Sequence, residues 1–93
     1  MSNFTDREAG DNAKRILESA EWQEAWNAYR ARILEEIEAA PSNGQETVMH
    51  LKRLLAAATA ARGHLERMVK EGAIAAHNIQ LDEKRSFLKR VIG

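Results

Sequence analysis

The sequence predicts an all-α fold: an antiparallel two-helix hairpin with short flanking N- and C-terminal helices, assembled as an oligomeric helical bundle. Three observations carry this expectation. Apolar residues recur at steps of three and four along most of the chain, which is the period of an amphipathic helix. No stretch shows the strict apolar–polar alternation of a half-buried strand. The single proline stands in the one clear turn, Pro41-Ser42-Asn43-Gly44, between the two longest amphipathic stretches.

In chain order, Thr5-Asp6-Arg7-Glu8 has the pattern of a capping box, so a first helix is expected over about residues 6–18, with Ala13, Ile16, Leu17 and Ala20 on one face. From Glu21 the apolar residues move to another face, occupied by Trp22, Trp26, Tyr29, Ile33, Ile37 and Ala40. At about 100° per residue the two stripes lie roughly half a turn apart, and one straight helix cannot bury both against one neighbour. The break belongs near Ser19, a good N-cap with Glu21 in the first turn of the next helix. That helix should end by Ala39, because the residue before Pro41 is pushed out of helical geometry.

A third helix is expected to restart through Ser42 with Gln45, or Asn43 with Glu46, and to run to Glu71 with Gly72 as a left-handed C-cap. Its apolar stripe comprises Val48, Leu51, Leu55, Ala58, Leu65 and Val69, with Leu54, Ala61 and Met68 alongside. The small run Ala56 to Ala61 offers room for Trp22, Trp26 and Tyr29 to pack large against small. Gly63 inside this helix is expected to serve a close helix approach. Beyond Gly72 a weaker stretch places Ile74, Leu81, Leu88 and Ile92 on one side, and Asp82 is expected to cap a final helix. The chain is read as one domain over 1–93, divided into a short N-terminal helix (1–20), the hairpin (21–72) and a C-terminal helical segment (73–93).

Composition narrows the function classes. There are no cysteines among the 93 residues, so disulfides and thiolate metal sites are excluded and oligomerisation is the remaining device for stabilising so small a core. No apolar run approaches the roughly 18 residues of a membrane span, and the N-terminus lacks the pattern of a signal peptide, so a cytoplasmic protein is expected. The formal net charge is zero, which argues against a strongly electrostatic nucleic-acid binder. The charge is unevenly placed, however. Residues 1–46 hold ten acids and five bases, and residues 47–93 hold four acids and nine bases. The halves of −5 and +5 suit either an antiparallel hairpin whose arms attract or head-to-tail attraction between subunits.

No catalytic residues, metal ligands or cofactor motif stand out. The five glycines form no phosphate loop. His50 and His64 are fourteen positions apart, roughly 21 Å along a helix, and cannot share an ion. A helix-turn-helix over Leu51 to Val69 would need a turn at Gly63, yet the apolar period runs through that position without a phase jump. The basic run Lys84-Arg85 and Lys89-Arg90 reads as a solvated helix face.

The one chemically suggestive cluster is Trp22, Trp26, Tyr29 and Arg30 within two helical turns, with Arg62, His64, Arg67 and Lys70 on the expected partner arm. Rings stack bases and guanidinium groups pair phosphates, so these eight residues are the candidate binding site for a small anionic nucleotide. The plainer alternative is that the rings are core, since a small chain has few other large side chains to build one.

The order of features resembles a group of small all-helical tailed-phage proteins. Ile16-Leu17-Glu18-Ser19-Ala20-Glu21-Trp22-Gln23-Glu24-Ala25 resembles their opening, and Pro41 followed by Gly44-Gln45-Glu46-Thr47 resembles their inter-helix turn. Arg62-Gly63-His64-Leu65-Glu66 with Gly72-Ala73 and Ala75 resembles their closing segment, and the match spans about residues 13–76. The resemblance implies a non-enzymatic accessory protein acting in the host cytoplasm. Two uses follow from it: a homo-oligomeric sponge that sequesters a cyclic nucleotide immune signal, or a virion-assembly or DNA-packaging accessory whose partner is another phage structural protein.

Overall fold

The computed structural model describes residues 2–92, and these are organised as three α-helices, α1 (Asn3–Glu18), α2 (Ala20–Ala39) and α3 (Gln45–Ile92), with no strand among them. The chain divides into two compact units: Met1–Arg15 with Leu65–Gly93, and Ile16–His64. No helix among the described residues is long and apolar enough to cross a membrane.

The start of α1 corrects the expected capping box. The Ser2 hydroxyl, three residues upstream of Thr5, accepts from the Thr5 amide at 3.2 Å, and the Ser2 carbonyl accepts from the Asp6 amide at 3.0 Å. Thr5 therefore stands inside the first turn, its hydroxyl 2.9 Å from that of Ser2.

In this first unit α1 meets the later part of α3 through backbone. A Cβ built on Gly10 would lie 2.7 Å from the Gly72 Cα and 2.8 Å from the Met68 carbonyl oxygen. A Cβ on Gly72 would lie 2.7 Å from the Gly10 Cα and 3.1 Å from the Asp6 carbonyl oxygen. Ala13 and Ala75, three positions on from each glycine, are buried beside the crossing, as is Ile79. This contact explains the largest departure from expectation. Gly72 is not a left-handed C-cap, and no described glycine has a positive φ. The helix runs straight through it, because what the position requires is the absence of a side chain. Asp82 accordingly lies within α3 rather than capping a separate helix, and its carboxylate stands 3.8 Å from the exposed Arg85 guanidinium.

In the second unit the break at Ser19 is as the change of apolar face demands. Ser19 is extended (φ −68°, ψ 141°) and its hydroxyl accepts from the Trp22 amide at 3.2 Å while donating to the Ile16 carbonyl at 2.8 Å. Gln23 reaches back to the Leu17 carbonyl at 3.4 Å. α2 ends where Pro41 dictates: Ala40 is extended (φ −63°, ψ 136°), and its amide donates to the Ile37 carbonyl. The turn closes through the Gly44 amide donating to the Pro41 carbonyl at 2.8 Å. The Val48 amide then donates to the Gly44 carbonyl at 3.1 Å, so backbone at Gly44, rather than the side chains of Ser42 or Asn43, opens α3. Ile33 and Leu51 are the buried apolar side chains here.

Gly63 also departs from expectation. Nothing stands within 4 Å of where its Cβ would be, so no close approach occurs there. The glycine that serves that purpose in α3 is Gly72. The continuity of α3 through Gly63 likewise removes the turn that a helix-turn-helix would need.

Candidate functional site

The candidate site lies in the unit Ile16–His64 and grows from two local causes. Trp22 and Trp26 are one helical turn apart, so they share a face of α2. The Ser19 cap fixes the start of that helix and with it the direction of the first ring. The two indoles stack with centroids 6.3 Å apart and planes 14° from parallel. From α3, the Arg62 guanidinium lies over the Trp26 ring, 5.1 Å from its centroid. Such a cation on an indole face is worth about 0.5–1 kcal/mol where exposed and more where desolvated.

Two shallow depressions flank the stacked pair. One of about 220 Å³ is lined by Leu17, Trp22, Gln23, Trp26, Asn27 and Arg62, and is largely polar. The other, of about 240 Å³, is lined wholly by apolar surface from Trp22, Ala25, Trp26, Tyr29, Ala58 and Ala61. The second is the large-against-small packing expected from the alanine run, with α2 rings facing small residues of α3. Trp22 and Trp26 are half-buried, and Tyr29 is 42% exposed. The rings are therefore neither a sealed core nor a free platform.

Four of the eight sequence-predicted site residues, Trp22, Trp26, Tyr29 and Arg62, line these depressions. Arg30 and His64 are exposed and line neither. Arg67 and Lys70 are exposed and belong to the other compact unit. Gln23 and Asn27 were missed by sequence reasoning, although each neighbours a tryptophan and could offer amide groups to a ligand. Among the described residues no group of three or more His, Cys, Asp or Glu could hold a metal ion.

Each depression is smaller than the roughly 300–1,000 Å³ usual for a small-molecule site. What the arrangement offers chemically is a stacked indole pair, two side-chain amides and a guanidinium already seated on a ring. No family model matches the chain, and neither a curated protein nor a solved structure shows significant similarity to it.

Proposed function

We propose that the protein is a non-enzymatic accessory protein that works as a homo-oligomer through its helical surfaces, in the manner of a phage virion-assembly or packaging factor acting in the host cytoplasm. In this reading α2 and the first part of α3 form an antiparallel hairpin, and copies of it join into a helical bundle. The observation that supports it best is the imbalance of apolar surface. Among the described residues the buried apolar side chains are Ala13, Ile33, Leu51, Ala75 and Ile79, two of them only alanines. Against these, Phe4, Ile74, Phe87, Val91 and Ile92 are each more than 60% exposed, and Met49 is 54% exposed. Exposed apolar side chains that lie together mark surfaces that meet another protein, and the number left open here supports such a surface. Light scattering across a dilution series is the test. The expected result is a mass of two or more chains at tens of micromolar; a single-chain mass throughout would overturn the reading.

A second reading, sequestration of a cyclic nucleotide signal, is favoured by the half-open Trp22–Trp26 pair with Arg62 beside it. Since neither depression is large enough alone, the ligand would lie where two copies bring their tryptophan faces together. Cyclic di- and trinucleotides are the probes. A true ligand at 100 times its Kd stabilises by about 2.7 kcal/mol, a rise in melting temperature of several degrees. No shift with any of them would remove this reading.

A further inference from the structure

On the final stretch of α3, Ile74, Leu81 and Leu88 repeat every seven residues, and Ile92 follows one turn later. At about 100° per residue these four fall within a sector of about 40°. They are 62%, 39%, 44% and 82% exposed. Of the positions of the same stretch that are buried in the unit, Ile79 and Gly72 at the α1 crossing point close to half a turn away, and Ala75 lies about 100–140° round the axis from the stripe. The stripe thus faces away from α1. A seven-residue apolar repeat on one side of a helix suits another helix laid along it.

Its flanks say which helix. Residues 74–92 carry Lys84, Arg85, Lys89 and Arg90 against Asp82 and Glu83, with Lys84 on one side of the stripe and Lys89 on the other. Two such stripes facing each other would bring basic flank against basic flank, which disfavours self-pairing. α2 has the opposite balance, with Glu21, Glu24, Glu35, Glu36 and Glu38 against Arg30 and Arg32. Its side remote from Trp22, Trp26 and Ile33 carries exposed Glu21, Glu24, Glu35 and Glu38, with exposed Ala28 and Ala31 between them. Ala28 and Ala31 leave room for leucine side chains, and Glu24 and Glu35, within about 40° of both round the axis, place carboxylates on the surface that the lysine-flanked stripe would cover.

We propose that the Ile74–Leu81–Leu88–Ile92 stripe of one copy docks on the acidic, alanine-bearing face of α2 in a second copy. This deepens the homo-oligomer reading and rests on it. The contact is heterologous, joining different surfaces of the two copies, so a pair keeps one free acidic face, on the copy whose stripe is docked, and one free stripe, on the other. Such contacts propagate into a ring or a filament rather than stopping at a two-fold dimer.

A charge-swap experiment followed by light scattering tests it. One variant carries Glu24→Lys with Glu35→Lys, and the other carries Lys84→Glu with Lys89→Glu. All four positions are exposed, and circular dichroism checks that each variant keeps the wild-type helix content. Each variant alone sets like charge against like and is expected to fall to the mass of one chain. Mixed in equal amounts, the two should regain the wild-type mass, because both kinds of contact again pair opposite charges. Wild-type assembly should also weaken as salt is raised from 50 mM to 1 M. If either variant alone keeps the wild-type mass, or the mixture stays at one chain, the docking assignment is wrong although the homo-oligomer reading stands. A wild-type protein of single-chain mass at all concentrations overturns both.

Discussion

In the unit formed by Met1–Arg15 and Leu65–Gly93, two helices touch through their backbones at Gly10 and Gly72, whereas in Ile16–His64 they are held apart by indole rings against alanines. The first contact tolerates no side chain, because a Cβ at either glycine would stand 2.7 Å from the opposite Cα. The second is a graded contact in which rings, a guanidinium and small residues share a loosely filled groove. Close packing of backbones should therefore fail abruptly on substitution, and ring-on-alanine packing should weaken in proportion to the atoms removed.

The largest effect is expected at the glycine crossing. Gly10→Val forces branched carbon into the Gly72 backbone and the Met68 carbonyl, neither of which is the yielding end of a side chain. A loss of about 3 kcal/mol is expected, at the upper end of ordinary overpacking. Hydrogen exchange should show α1 amides losing protection while those of α2 keep theirs. Equal loss in both would mean that the glycine contact does not hold α1 in place.

In the other unit, Trp26→Ala removes the ring that stacks on Trp22 and seats Arg62. A fully buried tryptophan costs about 3–5 kcal/mol when cut to alanine. Trp26 is only half-buried, and about 2 kcal/mol is expected, read as a lower urea midpoint at fixed protein concentration. A loss matching that of Gly10→Val would make the rings core in the full sense.

The smallest of the three is at the joint between α1 and α2. Ser19→Ala deletes both the hydroxyl that accepts from Trp22 and the donor to Ile16. A cap of this kind contributes about 1 kcal/mol. Ser19→Asp should recover most of it, since a carboxylate accepts from the same amide, while Ser19→Ala with unchanged stability would show the break to be set by the apolar phase change alone.

The sequence made some of these features readable and hid others for identifiable reasons. The joint at Ser19, the end of α2 before Pro41 and the large-against-small pairing all arise from residues near in sequence or from a repeated pattern. Gly72 misled because a C-cap and a close helix crossing call for the same residue. What distinguishes them is Gly10, 62 positions away, and nothing local points to it. Gly63 invited the crossing role for the same reason and has open space instead. In the candidate site, the rings and Arg62 follow from helical period and residue size. Arg67 lies with Arg62 on the expected partner arm, but five helical positions turn it about 140° round the axis.

The most direct measurement compares Gly63→Ala with Gly72→Ala by urea unfolding at one protein concentration. Both glycines lie inside α3, so alanine brings the same intrinsic gain in helix propensity, about 0.5–1 kcal/mol, at each. At Gly63 nothing opposes it, and the variant should be more stable than wild type by that amount. At Gly72 the new carbon meets the α1 backbone, and the variant should be less stable by about 1–3 kcal/mol. Opposite signs at the two positions are the expected result; a gain at both would contradict the backbone contact between α1 and α3.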